Sequence, residues 1–229
     1  CMVFNSCLVL INYYNNSILT LYMLDISYGA NMEKVWLKSY PNWVPAEVNT
    51  QEYSSVADLL LKSCQKYENR PAYESFGVQI TYGELHTLAK SFAAYAQNVL
   101  GLAKGDRIAI MMPNLLQYPI AMMGAFMAGL TVVNVNPLYT ARELEQQLKD
   151  CGAKCIVIVE NFAHVLEKVI DNTAVKHVIT TKMGDCLGFL KGAIVNLVVK
   201  HVKKLVPAWN IPGSVSFKIV MNRGSQLPY

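Results

Sequence analysis

Residues 107–181 read RIAIMMPNLLQYPIAMMGAFMAGLTVVNVNPLYTARELEQQLKDCGAKCIVIVENFAHVLEKVIDNTAVKHVITT, and the fold turns on this stretch. Four short runs, Arg107–Met112, Thr131–Val135, Cys155–Val159 and His177–Thr181, are almost continuously apolar and rich in Val and Ile. Strands of that kind are buried on both faces, as in parallel sheets. Between them lie segments with helical spacing: Asn114 as cap of an apolar helix to about Ala128, Thr140 as cap of a helix ending at Gly152, and Phe162–Asp171. Thr140-Ala-Arg-Glu143 spells a capping box, in which the threonine accepts the third amide and the glutamate reaches back. Pro119 falls near enough the first turns of its helix to be marginal rather than fatal. Strand, helix, strand, helix, strand, helix, strand is the signature of an α/β doubly wound, largely parallel sheet.

Outward from this core the signals continue. Toward the N-terminus, Ser55–Tyr67 has helical spacing, and Ala72–Phe76 and Gln79–Thr81 form a strand pair about Gly77. Thr81-Tyr-Gly-Glu84 is a second capping box, opening a helix that stops at Gly101. Asp106-Arg107, at the turn before a strand, reads as a strand-entry ion pair. Toward the C-terminus, 187–206 (LGFLKGAIVNLVVKHVKKLV) predicts one more helix, with an apolar stripe of Leu190, Ile194, Leu197, Val198, Val202 and Leu205. Lys191, Lys200, Lys203 and Lys204 are its basic residues, and 187–229 holds six Lys/Arg and no Asp/Glu. The simpler expectation is that the stripe docks on the sheet. The alternative is a helix lying on an anionic membrane surface, with the four lysines as its contacts.

Composition narrows the class. Of the 229 residues, 53% are hydrophobic and 16% charged, against a usual charged share of about 25%, which excludes intrinsic disorder. A net charge of +4 is too small to imply a nucleic-acid partner. The six cysteines, at 1, 7, 64, 151, 155 and 186, have no metal-ligand or disulfide spacing and read as reduced thiols of a cytoplasmic protein.

Residues 1–31 differ from the rest, with Asp25 as their one charge and Asn12, Asn15, Asn16 and Ser17 dividing the apolar run. No basic n-region precedes it, as a signal peptide would require, and no uninterrupted span of membrane length exists. The segment is read as upstream sequence translated in error, with a weakly membrane-active segment as the rival, and nothing functional is assigned to it.

The chemistry-bearing patterns are missing: no GxGxxG after a strand, no GxxxxGK[ST], no HExxH and no GxSxG. Ser63-Cys-Gln-Lys66 spells SxxK but lies inside a helix without its companion motifs, and His164 and His177 read as scaffold. From the residues alone this is an α/β scaffold with no assignable active site.

Several stretches taken together add a resemblance: MEKVWLKSYP at 32–41, KGDRIAIMMPNLLQYP at 104–119, VVNVNPLYTARELEQQLKDCGAKCIVIVENFAHVLEKV at 132–169, TAVKHVI at 173–179 and VVKHVKKLVP at 198–207. They closely resemble bacterial long-chain fatty-acid–CoA ligases of β-oxidation, members of the adenylate-forming (acyl-activating) superfamily. The resemblance implies a two-step reaction. A fatty-acid carboxylate attacks the α-phosphate of ATP with Mg²⁺ to give acyl-adenylate and diphosphate, and the CoA thiol then displaces AMP. It also implies that 32–229 is the N-terminal portion of the large AMP-binding domain, stopping before the family's Ser/Thr/Gly-rich phosphate loop and its later nucleotide, Mg²⁺ and lysine motifs. No catalytic, cofactor-binding or metal residue is therefore transferred, and the chain alone is expected to be inactive. Peripheral contact with the cytoplasmic membrane and a homodimer are further implications. A non-catalytic membrane- or partner-binding module derived from the ligase is the rival reading.

Overall fold

The computed structural model describes residues 33–229, so that residues 1–31, read above as upstream sequence, lie outside the described residues. Contacts divide the chain into two units, residues 1–49 and 50–229. In the first, a 3-10 turn at Val35–Ser39 is accompanied by the exposed ion pairs Lys34–Glu47 (3.3 Å) and Lys38–Glu33 (2.8 Å). Pairs so open to water add little stability.

The second unit begins with helix α1 (Val56–Lys66), capped by Ser55, whose hydroxyl accepts from Asp58 N at 3.1 Å. Strands β1 (Pro71–Ser75) and β2 (Val78–Thr81) form an antiparallel hairpin in which Ser75 pairs with Val78. Its two-residue turn, Phe76-Gly77, has φ of 51° and 66°, the left-handed pair that matches strand twist. Helix α2 (Tyr82–Asn98) starts from a complete capping box: Glu84 N donates to Thr81 Oγ1 at 3.2 Å, and Thr81 N to Glu84 Oε2 at 2.8 Å.

The sheet follows as β3 (Arg107–Met111), β4 (Thr131–Asn134), β5 (Cys155–Val159), β6 (His177–Thr181) and β7 (Val215–Ser216), in the spatial order β4-β3-β5-β6-β7 with every pair parallel. The four sequence-predicted strands are present, and the two-residue β7 is an addition. Between them run α3 (Gln117–Met127), α4 (Ala141–Cys151), α5 (Ala163–Glu167) and α6 (Phe189–Leu197), and α7 (Phe217–Gly224) follows β7. The pleat sends Ile108, Ile110, Val157 and Val159 into one core with Phe92, Ile120 and Phe217 of α2, α3 and α7. Ala109, Met111, Ile156 and Ile158 enter the other, with Leu144 and Leu148 of α4 and Leu166 of α5. Both faces are thus covered, which is why these strands carry no polar alternation. Helices α2 and α3 meet at Gly124, where a Cβ would lie 2.7 Å from Ala89 O.

Four local expectations are corrected. Helix α3 does not start from Asn114; it begins at Gln117, with no side-chain cap. A start at Asn114 would put Pro119 where an intrahelical N–H is needed, whereas the later start makes it the third helical residue, whose N–H has no helical partner anyway. The helix expected over 162–171 is broken into a 3-10 turn (Glu160–Phe162), the five-residue α5 and a second 3-10 turn (Ile170–Asn172). Val165, Val169 and Ile170 are β-branched and weak helix formers. Asp106 pairs with Lys154 (2.6 Å) rather than with Arg107, as β5 brings Lys154 alongside the β3 entry.

The fourth concerns 187–206, where α6 passes into a π-helical turn at Val198–Val202. Its stripe was expected to dock on the sheet, yet Leu190 is 72% exposed, and Ile194, Leu197, Val202 and Leu205 are all exposed. The docking face is instead the one carrying Gly192 and Asn196. Cβ atoms added at Gly184 or Gly192 would fall 2.5 and 2.3 Å from the other's carbonyl oxygen, and Gly184 N donates to Asn196 Oδ1 at 2.8 Å. Glycine lets the backbones touch, and that contact turns the bulky stripe outward.

Candidate functional site

In open parallel sheets, ligands bind beyond the carboxyl ends of the strands, near the point where strand order reverses. Here the chain runs from β3 outward to β4, then returns to β5 on the other side of β3. A cavity of about 380 Å³ lies over the carboxyl ends of β5, β6 and β7. Glu160 follows β5 directly, Thr181 ends β6 and Lys182 follows it, and Lys218 lies in the first turn of α7; Asn196 and Lys200 reach in from α6 and its π-turn, and Trp209 completes the wall.

A buried hydrogen-bond network fixes the floor. Gln117 Nε2 donates to Thr181 Oγ1 (3.1 Å) and Lys182 O (2.8 Å). Thr181 Oγ1 donates in turn to Asp185 Oδ2 (3.2 Å), which also accepts from Lys182 N (2.8 Å). Asp185 Oδ1 pairs with Lys218 Nζ at 3.4 Å, and the carboxylate side chain is only 4% exposed. Glu160 is 6% exposed. Burial pushes its carboxyl pKa up, Lys182 and Lys200 pull against that, and Asp185 adds to the rise.

The arrangement is equipped to bind rather than to attack. The thiols of Cys155 and Cys186 are pushed up to about 12 by burial, so both stay protonated at neutral pH and are poor nucleophiles. His177, half-buried in β6, has its pKa lowered first by desolvation and then by Lys176. Among the described residues no three His, Cys, Asp or Glu side chains converge to hold a metal ion. The Mg²⁺ implied by the resemblance thus finds no ligand set in them, and the two carboxylates of the cavity stand among lysines.

The four sequence-predicted lysines serve different places. Lys191 Nζ donates to Phe76 O in the β1–β2 turn. Lys200 lines the cavity. Lys203 and Lys204 are exposed beyond the π-turn, Lys204 with φ of 51°. Glu160, Lys182, Asp185 and Gln117 escaped sequence reading. The signal that could have found Glu160 and Lys182 is their position: each is the first polar residue past the carboxyl end of a buried parallel strand.

The fold of this parallel sheet, with helices on both faces, recurs in solved structures of CoA ligases. The solved structure of the anthranilate CoA ligase AuaEII in complex with anthranoyl-AMP superposes with a TM-score of 0.58 at 17% identity, over 74% of this chain and 28% of that one. The AMP-binding enzyme family model matches residues 60–212, and the chain belongs to that family. Long-chain-fatty-acid–CoA ligases of Escherichia coli O6:H1 and Yersinia pestis are 53% and 54% identical to it over 198 residues, 86% of this chain. The chain spans 35% of the length of each of these relatives.

Proposed function

We propose that residues 32–229 form the amino-terminal portion of the large domain of a long-chain fatty-acid–CoA ligase, and that residues 1–31 lie outside the natural protein. The observation that carries this is the 53% identity over 198 residues to a ligase of that name. In this reading ATP and CoA are consumed, Mg²⁺ assists at the phosphates, and a long-chain fatty acid passes through its acyl-adenylate. The mixed anhydride turns a poor acyl donor into one with a good leaving group, and the protein's work is mostly charge stabilisation. The chain by itself supplies a sheet and its flanking helices, and the proposal holds it inactive alone. The named relatives, both ligases, lend no support to a non-catalytic module. Sequencing the DNA past the Tyr229 codon tests the proposal: an open frame continuing into a glycine-rich phosphate loop supports it, and an immediate stop overturns it.

A cytoplasmic location with peripheral membrane contact is the finer part of the proposal. Its support is the outward stripe of α6, with Phe189 94% exposed, beside Lys203 and Lys204 in a region without Asp or Glu. No helix among the described residues is long and apolar enough to cross a membrane. A homodimer is carried over from the family and has no geometric support of its own.

A further inference from the structure

Helix α6 is held in place differently from α4. Its one buried residue is Gly192, which has no side chain to act as an anchor, whereas α4 buries Leu144 and Leu148 completely. Val195 packs partly against the core, while Phe189, Leu190, Ile194 and Leu197 stay exposed. An element that buries so little apolar surface opens locally at small cost. Polar ties do most of the holding. Lys191 Nζ donates to Phe76 O in the β1–β2 turn, Gly184 N donates to Asn196 Oδ1 at 2.8 Å, and beyond the π-turn Asn161 Nδ2 donates to Leu205 O at 2.9 Å. The two ends of α6 are also irregular. Gly188, just before it, has φ of 79°, and a Cβ there would meet no atom within 4 Å. No side chain caps the first turn, and at Val198–Val202 the wider π-turn interrupts the α-helical ladder.

We propose that residues 189–202 form a flap over the cavity, hinged at Gly188 and latched by Lys191 to the β1–β2 turn. The structure shows the closed position, in which Asn196 and Lys200 complete a wall with Glu160, Thr181 and Trp209. Lifting the flap carries Asn196 and Lys200 away and opens that wall to solvent. A hinge of this kind needs one or two residues at the end of an element that can absorb a change in φ and ψ. Gly188 meets that need, because it already occupies the left-handed region and has open space around it. The latch sits on a separate two-stranded hairpin, so access to the cavity is coupled to the Phe76-Gly77 turn. A Cβ added at Gly77 would lie 3.5 Å from Lys191 Nζ, which makes the latch adjustable from the hairpin side. The flap is a property of this chain alone, independent of the reaction proposed for the whole ligase.

Amide hydrogen exchange of the 229-residue chain, read by mass spectrometry, tests the flap, with α4 as the internal control. Residues 189–202 should exchange as one block and faster than α4. K191Q, which removes the latch, should speed that block about fivefold, the worth of one exposed hydrogen bond, and leave α4 unchanged. G188A should speed it by a similar factor, because an L side chain at φ of 79° favours leaving the closed hinge. G77D should slow it, since aspartate tolerates the left-handed region and places a carboxylate beside Lys191. K203Q, beyond the π-turn, should leave it as in the parent. Opening is read at the cavity through Trp209, the one tryptophan left after W36F and W43F. Acrylamide should quench Trp209 more strongly in K191Q than in the same background without it. Exchange of 189–202 as slow as α4, no change in K191Q, acceleration of α4 by the same factor, or Trp209 quenching unmoved by K191Q overturns the proposal.

Discussion

Gln117 Nε2 and Thr181 Oγ1 lie 3.1 Å apart, and this bond ties the start of α3 to the end of β6. Gln117 opens the helix that follows β3, Thr181 ends β6, and β5 runs between them. Both side chains are 1% exposed, so the amide replaces water that neither group can reach. Substituting Gln117→Leu keeps the volume and removes the donor to Thr181 and to Lys182 O. Chemical denaturation should show a loss of about 1–3 kcal/mol, the cost of stranding buried polar groups. An unchanged midpoint would mean that the network is incidental to the fold.

Gly124 sets the distance between α2 and α3. In an exposed helix Gly→Ala stabilises by about 1 kcal/mol. Here the added methyl would sit 2.7 Å from Ala89 O and 2.8 Å from Phe92 Cδ1. Gly124→Ala should therefore destabilise by about 1–3 kcal/mol, the usual penalty for overpacking. A rise in melting temperature would contradict the packing described.

These two contacts also mark where the sequence stops being informative. The buried strands and both capping boxes were legible, because continuous apolar runs and a Thr-x-x-Glu spacing are local signals. Strand β7 was not, since Val215–Ser216 is too short to show a period. The start of α3 depended on where Pro119 could sit, a matter of register rather than composition. The stripe of α6 was visible, but periodicity cannot say which face finds a partner; the crossing of Gly184 and Gly192 decided that. The cavity was the least legible part. Its residues come from the turn after β5, from β6 and the loop after it, from α6 and its π-turn, from β7 and from the start of α7, and only the sheet order brings Glu160 near Lys182 and Lys200.

Asp106 predicts an acid limb. Its carboxyl is held below the usual value by the Lys154 ammonium and then by the Ala103 amide. A depressed folded-state pKa contributes stability that is present above the unfolded value, about 3.9, and lost as pH falls through the folded one. Lys154→Met should lower the melting temperature at neutral pH and flatten its fall below about pH 4. A variant that follows the parent across the whole range would remove Asp106 from the account of acid sensitivity.

If α6 meets an anionic bilayer, its four lysines should not count equally. Lys191 is tied to Phe76 O and Lys200 faces the cavity, whereas Lys203 and Lys204 are free to reach headgroups. Replacing Lys203 and Lys204 by Gln should weaken co-sedimentation with anionic vesicles by about fivefold per lysine at low salt. The difference should shrink near 0.1 M salt, where the screening length is about 10 Å. Replacing Lys191 by Gln should have little effect. Equal binding by all variants at low salt would leave the stripe for another occupant.

The ligase reading is tested most directly by joining residues 32–229 to the remaining length of the Escherichia coli relative and measuring fatty-acid-dependent ATP–diphosphate exchange. The account predicts exchange well above a no-protein blank from the joined protein, and none from the 229-residue chain alone. A joined protein that is folded, by a cooperative thermal transition, yet without exchange would contradict it, and so would exchange from the isolated chain.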